Sequence, residues 1–167
     1  MNLATFVSTY NGTVVGDGQC VALIKLYEDE VLGFIQYFGL PYAYQYYTEY
    51  PNNAGLQAHY DRYTLSDGLP APGDIVVFDN NTGGGAGHVS IVYSDISSSG
   101  YTGFDQNWST PGRCSLDSHN YNYVLGYLKP KGSTPPTPPV PPTPPGTSSG
   151  NNYKKWLFSK RRTILLT

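Results

Sequence analysis

A thiol is a useful nucleophile only as its thiolate. Two residues of this chain carry a thiol, Cys20 and Cys114. Cys20 follows Gly16-Asp17-Gly18-Gln19 and opens an apolar run. That places it at the predicted first turn of a helix, where unpaired N–H groups and the helix dipole favour an anion. Cys114 sits in a loop-like stretch after Ser109-Thr110-Pro111-Gly112-Arg113 and reads as a small buried hydrophobe. The two thiols could form one disulfide, but with no Cys-x-x-Cys spacing they make a poor zinc site. A nucleophilic cysteine also needs a base, usually histidine. The histidines are His59, His88 and His119. His88 begins the apolar run His88-Val89-Ser90-Ile91-Val92 directly after a glycine-rich loop, which gives it backbone room at the rim of a sheet. His59 and His119 lie in polar stretches and read as structural.

A catalytic base must be oriented by a third group that accepts from its other ring nitrogen. Phe104-Asp105-Gln106-Asn107-Trp108 offers candidates. Side chains alternate faces along a strand, so Asp105 and Asn107 are expected on one face and Gln106 and Trp108 on the other. His88, Ser90 and Val92 share a face in the same way. If the two strands pair, His88 can lie beside Asp105 and Asn107, and which of them orients it stays open.

The elements that must hold these residues are readable from periodicity. Cys20, Leu23, Ile24, Tyr27 and Val31 recur at helical spacing, so the pattern predicts a helix over 19–32 with Asp17 and Gly18 near its cap. The stretch 42–50 is aromatic and irregular, a weaker helix is predicted over 54–63, and 70–73 is a turn. Strand-like runs follow at 74–78, 88–93, 101–108 and 122–128, with a flexible connection over 79–87. Helices first and strands later predict an α+β fold with an antiparallel sheet.

The chain has 167 residues, enough for one ordinary domain. Charged residues are only 13%, against about 25% in typical globular chains, and there are 16 tyrosines. Tyr joins a flat apolar body to a polar tip, which suits peptide or carbohydrate-rich ligands. All acids lie between Asp17 and Asp117, whereas half of the bases (Lys154, Lys155, Lys160, Arg161, Arg162) sit at the C-terminal end. An acidic body argues against nucleic acid as a partner. No run approaches the roughly 20 apolar residues of a membrane span. Met1 to Tyr10 has neither a basic start nor a long apolar run, so no secretory signal is expected. Composition breaks near Lys131. Residues 1–131 form the expected domain. Residues 132–150, GSTPPTPPVPPTPPGTSSG, read as a stiff extended linker, and 151–167 as a short basic tail or the remnant of a missing module.

Four segments carry a resemblance in order: Gly18-Gln19-Cys20-Val21-Ala22-Leu23, Pro72-Gly73-Asp74-Ile75-Val76-Val77-Phe78, Gly87-His88-Val89-Ser90-Ile91-Val92, and Asp105-Gln106-Asn107-Trp108. Together they resemble the CHAP family, the cysteine, histidine-dependent amidohydrolases and peptidases that cut bacterial cell walls. Gly126-Tyr127-Leu128-Lys129-Pro130 is similar to the closing strand of phage lysins. The Pro-rich stretch resembles the joint between catalytic and wall-binding modules of phage endolysins. The resemblance implies a papain-like α+β domain with Cys20 as nucleophile and His88 as base. It places Asp105, where the family commonly has Glu, and Asn107 as the supporting pair. Gln19 and the Cys20 N–H would form the oxyanion hole. Some phage relatives bind calcium through carboxylates at positions that are here Asn11, Thr13 and Ala22. Asp17 alone makes a poor cage, so no metal or cofactor is expected.

The implied substrate is peptidoglycan of a Gram-positive wall. The bond would be the one joining muramic acid to L-alanine, or a peptide bond of the stem or cross-bridge. A monomer is expected, with room for a separate wall-binding module, waiting in the host cytoplasm until lysis. The rival readings are a wall-binding module that does not cut and a host wall-remodelling enzyme. The intact Cys20, His88 and Asp105/Asn107 set speaks against the first, and the absence of a signal against the second.

Overall fold

Asn2 starts the first helix, its side chain accepting from the Thr5 N–H at 2.9 Å. Helix α1, Leu3–Tyr10, follows and buries Leu3, Phe6 and Val7. Helix α2, Cys20–Tyr27, buries Leu23, Ile24 and Tyr27. The computed structural model describes residues 1–35 and 37–132. Apart from Gly132, the linker expected over 132–150 and the tail expected over 151–167 lie outside the described residues.

The helix expected over 19–32 divides. After α2 the chain widens into a π-helical turn, Glu28–Leu32, closed by Gly33 at φ +77°. Glu28 is turned into the core there, where it accepts from the Tyr60 hydroxyl at 2.7 Å. The aromatic stretch holds a short helix α3, Gln45–Thr48. The helix expected over 54–63 is corrected. Helix α4 covers only Ala54–His59, capped by Asn53, and the chain then extends as strand β1, Tyr60–Tyr63. Pairing outweighs helical spacing here, because β1 lies antiparallel to the last strand with Tyr60 opposite Pro130 and Tyr63 opposite Tyr127.

The remaining strands are β2 Ile75–Phe78, β3 His88–Ser97, β4 Gly100–Gln106, β5 Cys114–His119 and β6 Val124–Pro130. They form an antiparallel sheet in the order β1-β6-β2-β3-β4-β5. The α+β expectation holds. Strand β5 was not expected, and β4 ends two residues earlier than predicted.

One sheet face, with Ile75, Val77, Val89, Ile91, Phe104 and Leu128, packs against α1 and α2 and the aromatic residues Phe38, Tyr46 and Tyr60. Each such side chain, fully buried, contributes about 1.5–3 kcal/mol. The opposite face carries a smaller cluster of Val76, Phe78, Val92, Tyr101 and Tyr127. By alternation, His88, Ser90 and Asp105 belong to this second face. Phe78 stands directly opposite His88 in the β2–β3 register.

Candidate active site

Cys20 is the first residue of α2, with Gln19 in extended geometry before it. The N–H groups of a first helical turn lack intrahelical acceptors, so the Cys20 sulfur sits where negative charge is favoured. A buried amide fixes the loop that leads there. Gln106, at the end of β4, accepts from the Val15 N–H at 2.7 Å and donates to the carbonyls of Val15 at 2.9 Å and Gln19 at 2.8 Å. One side chain thus ties both ends of the Gly16-Asp17-Gly18 loop to the sheet. Cys114 donates its S–H to Gln106 Oε1 at 3.2 Å, and burial pushes its thiol up to about 11. Both cysteines are free, so Cys114 is the buried small residue expected of it and no disulfide forms.

His88 is 3% exposed at the start of β3. Its Nε2 donates to Asp105 Oδ1 at 2.8 Å. Cys20 is the other side chain that acts on the ring, and Nδ1 is the nitrogen left for it. Burial alone would disfavour charge on the ring. The hydrogen bond to Asp105 and the influence of its carboxylate and of Cys20 outweigh it and raise the His88 pKa to about 9. Asp105 is fully buried, which pushes its carboxyl up. The N–H groups of His119 and His88 more than offset this and hold it below the ordinary carboxylate value.

The sequence left open whether Asp105 or Asn107 meets His88, and the structure separates them. The expectation that both share a strand face is corrected. Strand β4 stops at Gln106, and Asn107 turns to φ +65°, a left-handed conformation that Asn tolerates better than most residues. Its side chain therefore leaves the His88 face. Asn107 Nδ2 donates to Gln19 Oε1 at 3.1 Å, and its Oδ1 accepts from the Gly112 N–H at 2.8 Å. With Oε1 held this way, the Gln19 amide turns its NH₂ group away from Asn107, free to donate.

His119, read from sequence as structural, also enters the site. Its Nε2 lies 2.6 Å from Asp105 Oδ2. The alternation of Asp117 and His119 as buried residues on β5 was the available signal, masked by the polar residues around them. Trp108, 40% exposed, caps the group, its ring centroid 4.8 Å from those of both His88 and His119. His59 stacks on Phe34 at 3.9 Å, away from the other two histidines. Asp17 accepts from the Gln19 N–H at 3.0 Å. Among the described residues, no group of three or more His, Cys, Asp or Glu is placed to hold a metal ion.

A thiol at a helix start, an imidazole on which it acts and a carboxylate behind the imidazole form a relay suited to acyl transfer. The comparisons with known proteins agree with that chemistry. The chain is 39% identical over 75 residues to the probable autolysin PH of Staphylococcus aureus (strain NCTC 8325 / PS 47), a stretch that covers 41% of this chain and 14% of that protein. Among solved structures it is similar to Ly7917, with a TM-score of 0.56 at 20% identity, covering 75% of this chain and 60% of that one. It is similar also to the wild type endolysin LysIME-EF1, with a TM-score of 0.55 at 20% identity, covering 75% and 61%. The chain thus spans less than two thirds of each of these relatives, and the two structural likenesses speak to the fold. The CHAP domain model matches residues 8–107, well over half of the chain, and includes Cys20, His88, Asp105 and Asn107. The chain belongs to the CHAP domain family of cysteine-histidine amidohydrolases and peptidases.

Proposed function

We propose that this protein is a peptidoglycan hydrolase that cleaves an amide bond of the cell-wall peptide through Cys20. The observation that carries the reading is the series Cys20, His88, Asp105: the sulfur stands at a helix start and acts on the His88 ring, which is hydrogen-bonded to the buried Asp105 carboxylate at 2.8 Å. Family membership and the likeness to a probable autolysin support the substrate class.

In this mechanism the Cys20 thiolate attacks the carbonyl carbon of the scissile amide, and a C–S bond forms as the carbonyl oxygen takes up negative charge. The Cys20 N–H and the Gln19 side-chain NH₂ donate to that oxyanion, and Asn107 holds the Gln19 amide in the donating orientation. The His88 Nδ1 proton passes to the departing nitrogen, the C–N bond breaks and the amine leaves. Water then attacks the thioester, with neutral His88 taking its proton. The C–S bond breaks, the carboxylic acid leaves, and the thiolate and imidazolium are restored. Asp105 stabilises the imidazolium and fixes the ring through Nε2.

Two properties of the chain outside the site belong to the same proposal. The protein acts as a monomer on the wall. It reaches the wall from the host cytoplasm at lysis. Among the described residues no helix is long and apolar enough to cross a membrane.

The test is turbidity clearing of purified Gram-positive walls by wild type and Cys20→Ala protein at equal folded concentration. Clearing by the wild type and none by the variant is expected. Equal clearing by both would overturn the assignment of Cys20.

A further inference from the structure

Asp105 has two oxygens and each takes a histidine. His88 holds Oδ1, and His119 holds Oδ2 at 2.6 Å. The His119 side chain is fully buried. It lies against Tyr101, stacked at 5.1 Å between centroids, and against Trp108 at 4.8 Å. Gly103 makes the approach across the sheet feasible. A Cβ at that position would meet Ser90 Oγ at 2.1 Å, His119 Cδ2 at 2.9 Å and Asp105 Oδ2 at 3.0 Å. His119 lies beyond residue 107, where the family match ends.

The hydrogen bonding of the second ring nitrogen fixes the protonation state. His119 Nδ1 is buried and has no hydrogen-bond partner among the described residues. An imidazolium would carry a proton there, leaving a charged donor buried with nothing to accept it, a costly arrangement. A neutral ring with its single proton on Nε2 leaves only a bare acceptor at Nδ1 and donates fully to Asp105. Two imidazolium rings on one carboxylate would also repel each other. The two histidines therefore divide the work: His88 carries the charge and His119 stays neutral.

We propose that His119 is a positioning residue of the hydrolytic site, a neutral Nε2–H imidazole that clamps the Asp105 carboxylate so that its other oxygen faces His88. The inference rests on reading Cys20, His88 and Asp105 as the catalytic series. Asp105 is held from behind, cannot rotate away from His88, and keeps its ionised form to lower pH than a carboxylate with one donor would.

The test uses the full chain with ¹⁵N-labelled histidine. NMR ring-nitrogen shifts between pH 5 and 8 should show His119 as the neutral Nε2–H tautomer throughout, while His88 remains imidazolium. An Nδ1–H tautomer or an imidazolium at His119 near pH 7 overturns the inference. Kinetics on soluble wall fragments give the second arm. His119→Phe should lower kcat by about ten- to a hundredfold with KM little changed, as losing an outer-shell partner does. It should also move the acid limb of kcat/KM up by roughly one pH unit, because Asp105 loses a donor. His119→Gln, whose NH₂ reaches the place of Nε2, should restore most of the rate, whereas His119→Asn, whose NH₂ reaches only the place of Nδ1, should not. Wild-type kcat and acid limb in His119→Phe, or equal rates in the Gln and Asn variants, contradict positioning. Should the wild type release no amine from walls, the hydrolase reading falls, and the tautomer measurement still decides the state of His119.

Discussion

Asp105 and Asn107 stand two residues apart, and substitution should separate their roles. An amide at 105 can offer an acceptor to only one of the two histidines, and its NH₂ must face the N–H of the other. Asp105→Asn should therefore cost roughly 10³- to 10⁴-fold in kcat, the scale seen when a catalytic histidine is forced into the wrong tautomer. It should also lower the His88 pKa from about 9, since the ring loses its carboxylate. Asn107→Ala should reduce kcat by about tenfold, less than the roughly 10²-fold expected for Gln19→Ala, which removes the proposed oxyanion donor itself. The His88 titration should stay in place in Asn107→Ala, because Asn107 bonds Gln19 and Gly112 instead. An NMR titration of His88 in each variant checks this, and a shift in Asn107→Ala equal to that in Asp105→Asn would contradict the assignment. Cys114→Ala should leave the rate within about twofold and lower stability by about 1 kcal/mol, measured by urea unfolding.

At the scale of elements, the site depends on the end of β4 as much as on α2. Gln106 is fully buried and holds Val15 and Gln19 on either side of the nucleophile loop. Gln106→Leu keeps the volume but leaves the Val15 N–H and two carbonyls without their partner. A loss of about 2–4 kcal/mol in denaturant unfolding is expected, with a still larger relative loss of rate. Wild-type stability in this variant would show that the loop is held by other means.

Much of this arrangement was legible in the sequence. Cys20 at a helix start and His88 at a strand start follow from apolar spacing and a glycine-rich loop. Helix α1 is hard to read although Asn2, Leu3, Phe6, Val7 and Tyr10 carry a cap and helical spacing, because eight residues make little more than two turns and the helix is held by packing of Leu3, Phe6 and Val7 in the core. Strand β5 is not legible because polar residues fill it: the face it shares with His88 and Asp105 carries Asp117 and His119, and Cys114 faces the helices, with no aliphatic series on either side. The position of Asn107 was not legible from alternation, which holds only while the strand continues. Its left-handed φ breaks the period at the residue in question. Asp105 and His119 meet across the gap at Gly103, a contact that depends on register and on an absent side chain, neither of which periodicity encodes.

For the whole molecule, the buried ionisable groups set how stability varies with pH. The His88 pKa is raised from 6.5 to about 9, so its contribution is complete below about 6.5 and is lost as pH rises through 9. Glu28 is raised from 4.5 to about 8, burial outweighing its hydrogen bond from Tyr60 and the charge of Lys25. Its folded state prefers the proton, so stability falls as pH rises from 4.5 towards 8. Asp105 acts in the opposite sense, its contribution being present above the ordinary carboxylate value and lost in acid. Thermal unfolding should therefore give a highest Tm near pH 5 to 6 and a decline towards pH 9. Glu28→Gln keeps an acceptor for Tyr60 and should flatten that decline, with a higher Tm than wild type at pH 8 and an equal one at pH 5. Parallel curves for the two proteins would show that Glu28 is not the source of the slope.

The central claim is that this molecule opens an amide bond in peptidoglycan through Cys20, and mass spectrometry of a peptidoglycan digest tests it most directly. Walls treated with the wild type should yield fragments with a new free amine, while walls treated with Cys20→Ala should yield none. A new N-terminal L-alanine would identify the bond to muramic acid, and a new N-terminus in the stem or cross-bridge would identify a peptide bond. Wild-type digests with no new amine, or the same new amine in both digests, would contradict the account.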